Sequence, residues 1–305
     1  MERALGLMCG AGVLPARMAD EARRRGWRIV AFTFDQTPGV AEGAGGGVRA
    51  ETVVPSRIAN LGAVLTRLQH ERIATVLFSG RFSMPDVLRV GAPDATFRTF
   101  EALASSRSGA SFVDAIITTM GALGVEVLDQ RDFVGDWLAG PGCWSARAPT
   151  ESEWRDARSG LEAARLIAGA GIGQTVVVRH GAVVAVEAVE GTTEAVRRGA
   201  ALAGPGTVVV KAVAPEHDYR FDAPAVGPET LAAAAEGGVS VVALEANRVL
   251  LFERQETLRI ADAAGIAVIG VDDLLDGGPE MAPKPPNARD TTAEPWRPSI
   301  TGADA

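Results

Sequence analysis

Chemically distinctive residues are concentrated in the segment from residue 211 to residue 230. Lys211 is one of only two lysines in the chain, and Tyr219 is the sole tyrosine. Asp218 and Asp222 add two carboxylates to the same segment. Carboxylate oxygens hold Mg²⁺, while a lysine ammonium acts as a point charge on phosphoryl oxygens. The segment is therefore a candidate phosphate and metal site, and a solvated, charged loop with a salt bridge is the alternative.

A turn with two glycines near the N-terminus is the second candidate. Gly10 and Gly12 lie between a predicted strand and a predicted helix, where exposed backbone N–H groups could hold a phosphate. A dinucleotide fingerprint requires a third small residue where Pro15 stands, and Asp35 matches the ribose-binding acid only loosely. A tight turn that merely needs glycine explains the same pattern.

Acidic side chains at predicted strand ends, together with one helix start, form the third set. Open α/β sheets bind ligands beyond the carboxyl ends of their strands, and a helix N-terminus can hold an anion. The acids are Glu187, Glu190 and Glu245, and the helix start is the segment from Gly227 to Thr230. Surface charge and simple helix capping are the alternatives.

Two other kinds of site are disfavoured by residue spacing. His70 and His180 have no paired spacing, which argues against zinc. Ser83, Ser111 and Ser152 lack the G-x-S-x-G context of a serine hydrolase.

Composition limits the partners and the compartment. The formal net charge of -8 argues against a surface that binds nucleic acid. Cys9 and Cys143 are the only cysteines, which favours a reducing compartment. No signal peptide is recognisable, and no apolar run reaches the roughly 18 residues of a membrane-spanning helix. We therefore expect a cytoplasmic protein that meets any lipidic substrate at a membrane surface.

The elements that must position these residues alternate along the chain. Short apolar runs alternate with amphipathic stretches, which predicts parallel βαβ units and an α/β fold. In the N-terminal half the predicted strands are 5–8, 28–32, 75–78 and 125–128, and the predicted helices are 15–25, 58–69 and 112–123.

A second domain is predicted to begin near Pro149. Glycine and proline at 140–142 break regular structure, and Thr150 with Glu153 forms a capping box for a new helix. The region after Gly277 is rich in proline and polar residues, which is typical of disorder. The predicted organisation is an N-terminal domain at 1–135, a linker at 136–148, a C-terminal domain at 149–276 and a disordered tail at 277–305.

Two hairpins are predicted in the second domain, whose sheet is therefore mixed. One joins 175–179 to 183–188 through His180-Gly181, and the other joins 239–244 to 249–252. A helix at 256–264 and a last strand at 267–271 follow.

Several motifs, taken together, carry a family resemblance. The motifs are Gly6 to Pro15, Gly80 to Pro85, Ile172 to Gln174, Val186 to Thr192, Lys211, Asp218 to Pro224, Gly227 to Thr230 and Leu244 to Ala246. On these motifs the chain resembles the LpxI family of UDP-2,3-diacylglucosamine pyrophosphatases over roughly residues 4 to 272. The resemblance implies a Rossmann-like N-terminal domain and a distinct C-terminal α/β domain, with the lipid-sugar product held between them.

The resemblance also implies an activity, which is Mg²⁺-dependent hydrolysis of UDP-2,3-diacylglucosamine to UMP and 2,3-diacylglucosamine 1-phosphate in lipid A synthesis. It implies an acylated UDP-sugar as the partner, transient contact with the inner-membrane surface, and a homodimer as a further expectation. No nucleic acid is expected.

Site residues follow from the matching positions. The resemblance implies catalytic roles for Asp218, Asp222 and Lys211, with Glu229 in support. The implied metal ligands are Asp218, Asp222, Glu187 and Glu190. The implied substrate-binding residues are Gly10, Gly12, Leu14, Arg81, Gln174, Thr192, Arg220, Gly227 and Thr230.

Two rival hypotheses remain, and departures from the family pattern favour the first. Thr193 and Ser111 stand where the family usually has acids, and Glu194 or Glu216 could compensate. Without compensation, the chain would be a non-catalytic homologue that binds a nucleotide-sugar or lipid-sugar phosphate as a sensor or regulator. A dinucleotide-dependent redox enzyme is the second rival, which the fingerprint disfavours at Pro15.

Overall fold

A computed structural model describes residues 3–34, 47–82, 90–104 and 109–272, with side chains from 114 onward in the last range. The described residues form two compact units. The first comprises the chain up to Val134 together with Ile167–Gly173 and Ala214–Pro224. The second comprises Gly135–Leu166, Gln174–Val213 and the chain from Ala225. Asp35, Ser83 and the predicted tail at 277–305 lie outside the described residues.

The first unit contains a parallel sheet that, within the described residues, has five strands in the order β3-β2-β1-β4-β5. The strands are β1 (Arg3–Cys9), β2 (Trp27–Phe34), β3 (Thr52–Ser56), β4 (Thr75–Ser79) and β5 (Glu126–Val127). This order reverses direction between β1 and β4, as in doubly wound folds. The Rossmann-like prediction for this half is confirmed.

The helices of the first unit are α1 (Leu14–Arg24), α2 (Leu61–His70), α3 (Ala95–Leu103), α4 (Gly109–Ala122) and α5 (Arg131–Val134). As predicted, α1 has Pro15 in its first turn, and Gly26 follows its end with φ +81. Sequence patterns missed α3, which begins where the Asp94 side chain accepts the N–H of Phe97 at 2.7 Å. They also missed β3, an edge strand whose side chains alternate in burial and which contains Pro55.

The second unit contains a mixed sheet with the order β6-β13-β11-β9-β7-β8 and a separate pair, β10 with β12, within the described residues. The strands are β6 (Gly142–Cys143), β7 (Thr175–Arg179), β8 (Ala182–Val186), β9 (Val208–Lys211), β10 (Ala225–Val226), β11 (Val241–Glu245), β12 (Leu250–Leu251) and β13 (Ala267–Val271). β9, β11 and β13 are parallel neighbours, so their carboxyl ends lie at one edge. The predicted mixed-sheet α/β fold is confirmed.

The helices of the second unit are α6 (Glu151–Gly169), α7 (Thr192–Ala203), α8 (Pro228–Glu236) and α9 (Arg254–Ala264). The last three residues of α6 group with the first unit. The predicted capping box is present before α6. The N–H of Thr150 donates to Glu153 at 2.7 Å, and the N–H of Glu153 donates to the Thr150 hydroxyl at 3.3 Å. Helix α7 lies directly on β7, since a Cβ added to Gly199 would be 2.6 Å from the Val177 side chain.

One predicted hairpin is confirmed and the other is wrong. β7 and β8 pair antiparallel around His180 and Gly181, both of which have positive φ, as this tight turn requires. In contrast, β11 pairs in parallel with β9 and β13 on its two sides, so it has no free edge for the next strand. β12 pairs instead with β10.

Asp156 on α6 closes the confirmed hairpin. Its carboxylate is 8% exposed and accepts the N–H groups of His180 at 2.9 Å and Gly181 at 2.7 Å. We expect Asp156→Ala to lower the free energy of unfolding by about 1–3 kcal/mol, because charge-assisted hydrogen bonds are lost. Urea unfolding measures this loss. Asp156→Asn, which keeps an acceptor, should lose less, and equal losses in the two variants would contradict the assignment.

Candidate active site

A buried lysine is the centre of one cluster of polar contacts in the second unit. Lys211 ends β9, is 4% exposed, and donates to the hydroxyls of Thr192 at 2.8 Å and Thr175 at 3.4 Å. Its ammonium nitrogen lies 3.7 Å from a carboxylate oxygen of Glu187, which is also buried. These four residues form what we call the lysine network. It fixes one positive charge at the carboxyl end of β9.

The Thr192 hydroxyl connects the members of this network. It donates its proton to Glu187 at 2.9 Å while it accepts from Lys211 and, at 3.5 Å, from Thr175. A hydroxyl has one proton and two lone pairs, so its hydrogen-bonding capacity is used within the protein. In this arrangement Thr192 orients Lys211 and has no proton left to donate to a substrate oxygen.

The two glutamates that were predicted as metal ligands belong to separate ion pairs. Glu187 pairs with Lys211 and also accepts the backbone N–H of Gln174 at 3.3 Å. Glu190 binds the guanidinium of Arg198 at 2.6 Å. Partial burial opposes the charge of Glu190, but hydrogen bonds from backbone N–H groups and Arg198 outweigh it and lower the pKa of this carboxyl. Among the residues that the structure describes, no three His, Cys, Asp or Glu side chains are arranged to hold a metal.

Asp218 lies in the segment Ala214–Pro224, which we call the aspartate loop and which belongs to the first unit. Arg220 holds its carboxylate with a planar fork, with contacts of 3.0 Å from Nε to both oxygens and 2.6 Å from Nη2 to one of them. The Arg220 backbone N–H adds a bond of 2.9 Å. Burial works against the charge of Asp218, but the Arg220 bonds prevail and lower the pKa of this carboxyl.

The aspartate loop is anchored by aromatic packing inside the first unit. The ring of Phe221 lies 5.1 Å from that of Phe78 and 5.6 Å from that of Phe82. Asp222, the second predicted catalytic aspartate, has a side chain that is 51% exposed and lies 3.9 Å from the imidazole of His217. Both aspartates therefore lie on a loop that apolar packing fixes to the first unit.

An open cleft of about 520 Å³ runs along the aspartate loop in the first unit. It is lined by residues 126–129, 131, 132 and 215–220. Its lining includes the carboxylates Glu126, Asp129, Asp132, Glu216 and Asp218 and the guanidinium groups of Arg131 and Arg220. Carboxylates outnumber arginines, so the cleft, which we call the acidic cleft, carries a net negative charge.

The glycine turn near the N-terminus is joined to the turn after β4. The N–H groups of Gly10 and Ala11 donate to the carbonyls of Ser79 at 2.8 Å and Arg81 at 2.9 Å, and the Arg81 N–H returns a bond to Ala11. A Cβ at Gly10 would lie 2.6 Å from the Arg81 carbonyl oxygen, so close packing requires glycine there. Gly12 has φ +99 and precedes Leu14, the first residue of α1. Backbone contacts thus use two of the N–H groups proposed for phosphate.

The start of α8 places the last predicted substrate residues. Gly227 precedes the helix without a side-chain cap, Glu229 lies in the first turn, and Thr230 is 7% exposed. Gly227 and Thr230 share the second unit with Lys211 and Gln174, whereas Gly10, Arg81 and Arg220 belong to the first.

Contacts around the candidate site that were missed from sequence are those of Thr175, Glu245 and the pair Asp129 and Arg131. Glu245 was noted only as a strand-end acid. It is 1% exposed, binds Arg165 at 2.9 Å and accepts the backbone N–H of Val213 at 2.9 Å, just before the aspartate loop. Asp129 and Arg131 could have been found, because they repeat the spacing of Asp218 and Arg220. Thr175 carries no such signal.

Comparison with known proteins gives concordant results along the chain. The model of the LpxI N-terminal domain matches residues 4–137, and that of the LpxI C-terminal domain matches residues 140–269. The UDP-2,3-diacylglucosamine pyrophosphatase LpxI of Caulobacter vibrioides is 29% identical over 289 residues, covering 88% of this chain and 98% of that protein.

One matching solved structure, glycinamide-RNase-transformylase T from Mycobacterium tuberculosis, is 14% identical. The match covers 61% of this chain and 44% of the chain of that structure. Its TM-score is 0.23, and we draw no conclusion about this protein from it. In the part of the chain that the structure describes, no helix has the length and apolar character needed to cross a membrane. With both of its domain models matched in order, the chain belongs to the LpxI family.

Proposed function

We propose that this protein hydrolyses the diphosphate of UDP-2,3-diacylglucosamine to UMP and 2,3-diacylglucosamine 1-phosphate, a step in lipid A synthesis. The observation that carries the proposal is the match to the Caulobacter vibrioides pyrophosphatase over 88% of this chain and 98% of that protein. The lysine network and the Asp218–Arg220 fork are consistent with phosphoanhydride chemistry, in which fixed positive charge stabilises the phosphoryl oxygens.

Lys211 supplies the fixed charge in this proposal. Glu187 and two threonine hydroxyls hold the ammonium before substrate arrives. Such preorganisation stabilises charge that develops in the transition state, because the protein dipoles need not reorient during the reaction. Thr192 and Glu187 therefore act through Lys211 in the proposed mechanism.

Asp218 is the proposed acceptor of the proton from the attacking water. In the resting protein its pKa is lowered by Arg220, which makes it a weak base at neutral pH. Arginine binds phosphate with the same two-pronged geometry that it uses for carboxylates. When the substrate diphosphate takes the Arg220 fork, Asp218 loses the bonds that lower its pKa and becomes a stronger base.

Arg220→Gln tests this arrangement through the pH dependence of kcat/KM, which reports groups of the free enzyme. Arg220 lowers the pKa of Asp218, so its removal should raise that pKa. The activity, which requires the carboxylate, should then begin to fall at a higher pH on acidification than in the unmodified protein. Arg259→Gln is the control. It breaks a similar fork, in which Arg259 binds Glu256 far along the chain, and it should not move the pH profile. An unmoved profile in Arg220→Gln would contradict the role of the fork.

The residues implied as Mg²⁺ ligands do not fit a preformed metal site. Arg220 engages both oxygens of Asp218, and Glu187 and Glu190 bind different cations. The proposed Mg²⁺ dependence is supported by the family resemblance alone. Mg²⁺ that enters with substrate phosphates usually needs only one or two carboxylates, so the proposed Mg²⁺ dependence does not require a preformed site.

The testing experiment is UMP release from UDP-2,3-diacylglucosamine by the purified protein with Mg²⁺, with EDTA, and with EDTA followed by excess Mg²⁺. We expect release with Mg²⁺, loss in EDTA and recovery on adding Mg²⁺. Release that is unchanged by EDTA would remove the metal from the proposal, and no release under any condition would overturn the proposal.

A second candidate function is a sensor that binds the acylated UDP-sugar or its product without turnover. The observation that favours it is Thr193, which stands in the first turn of α7 where the family usually has an aspartate. Saturable binding of UDP-2,3-diacylglucosamine without UMP release would support the sensor. Contact with the inner-membrane surface and homodimer formation remain predictions.

A further inference from the structure

Two equivalent Asp-x-Arg forks line the acidic cleft. Asp129 and Arg131 repeat the geometry of Asp218 and Arg220, with Nε contacts of 3.1 Å to both carboxylate oxygens and an Nη2 contact of 2.6 Å. The backbone N–H of Arg131 also donates to Asp129 at 2.8 Å, as the Arg220 N–H does to Asp218 at 2.9 Å. Neither Asp129 nor Arg131 has a role in the function proposed above.

The two forks are joined through their middle residues. The backbone N–H of Gln130 donates to the carbonyl of Tyr219 at 3.1 Å. The guanidinium carbon of Arg131 lies 4.2 Å from the centre of the Tyr219 ring, within the range of a cation–π contact. The His217 ring contacts the same ring edge to face at 4.7 Å. Tyr219 is thus 4% exposed and held on its backbone and on its ring.

Tyr219 lies directly between Asp218 and Arg220, so whatever holds Tyr219 also limits the movement of the fork. Arg131 is suited to this task because its plane is held by Asp129 while its face covers the ring. A lysine would keep the charge, and with it part of the cation–π attraction to the ring, but would lose the fork and the planar stacking.

We propose that Arg131, oriented by Asp129, is a positioning residue that holds the Asp218 carboxylate in its reactive place by clamping Tyr219. The inference rests on the proposed function, because it assigns Arg131 an effect on the hydrolysis through Asp218. Arg131 itself need not touch the substrate.

Kinetics of Arg131→Gln test the positioning role. A misplacement of about 1 Å can cost about a hundredfold in rate, so we expect kcat to fall about ten- to a hundredfold. KM should stay within about twofold, since a loss confined to the transition state lowers kcat rather than ground-state binding. In Asp129→Asn, which leaves Arg131 in place but weakens its fork, kcat should fall less. Arg131→Lys should have a higher kcat than Arg131→Gln. Arg259→Gln is the matched control, because it also removes the arginine of an Arg–carboxylate fork, here the fork with Glu256.

The sole tyrosine of the chain provides a readout that does not depend on the reaction. In protein labelled with ¹³C-tyrosine, every ring signal belongs to Tyr219. Arg131→Gln should shift these signals, Asp129→Asn should shift them less, and Arg259→Gln should leave them in place. Unshifted signals in Arg131→Gln would overturn the clamp, whatever the activity.

The outcomes separate this inference from the proposed function. Turnover in the unmodified protein together with an unchanged kcat in Arg131→Gln would overturn the positioning role and leave the proposed hydrolysis intact. A fall in kcat without a shift of the tyrosine signals would also overturn it. If the unmodified protein releases no UMP, the proposed function fails and the positioning role fails with it.

Discussion

Asp218→Asn is expected to lower kcat for UMP release by about 10²–10⁴, the usual contribution of a positioned acid or base. Asparagine has nearly the shape of aspartate and can still accept the Arg220 backbone N–H, which in the structure bonds Asp218 at 2.9 Å. It cannot accept a proton from the attacking water. The loss should therefore appear in turnover while the fold is retained, and steady-state UMP release with far-UV circular dichroism measures both.

Variants of two further aspartates serve as comparisons for Asp218→Asn. Asp20→Asn is the matched control, since Asp20 forms a surface ion pair with Arg49 in the same unit and has no role in the site. Asp222→Asn shows whether the second aspartate that the family resemblance implies shares the loss. Turnover in Asp218→Asn equal to that of Asp20→Asn would contradict the assignment of Asp218.

Lys211→Met is the second variant with a large expected effect, because it alters both stability and turnover. It leaves the carboxylate of Glu187, which is 8% exposed, without its buried cation. Breaking a buried ion pair in this way costs about 3–5 kcal/mol. Urea or thermal unfolding should show this loss. UMP release should also fall sharply, because the charge proposed to stabilise the phosphoryl oxygens is gone.

The double variant Lys211→Met, Glu187→Gln separates the two effects. A neutral amide at position 187 can still accept the Thr192 hydroxyl, and no unpaired charge remains buried. Most of the stability should return while turnover stays low. A single variant as stable as the unmodified protein would contradict the lysine network, and a fully active double variant would contradict the role of Lys211 in the reaction.

Much of the fold was predictable because its strands are either continuous apolar runs or bounded by clear turn signals. β1 is buried along most of its length and β2 at its four central residues, as is expected of central parallel strands. The His180-Gly181 hairpin was predictable from its turn residues. The second hairpin was wrong because sequence proximity does not reveal that β11 already has a neighbour on each side.

The candidate site was predictable only in part. Lys211 was singled out because lysine is rare in this chain, whereas its partner Thr175 lies 36 residues away in sequence and has no distinguishing pattern. The aspartate loop was placed with the second domain, but in the structure it clusters with the first unit, where Phe221 packs on Phe78 and Phe82. Such long-range packing cannot be deduced from local periodicity.

The proposed hydrolysis is tested most directly by a single-turnover reaction of the purified protein, in excess over UDP-2,3-diacylglucosamine, with both products quantified. We expect UMP and 2,3-diacylglucosamine 1-phosphate to form in equal amounts, and Asp218→Asn to bind the substrate but to form neither product at a comparable rate. Tight binding by the unmodified protein with the UDP-sugar recovered intact would contradict it.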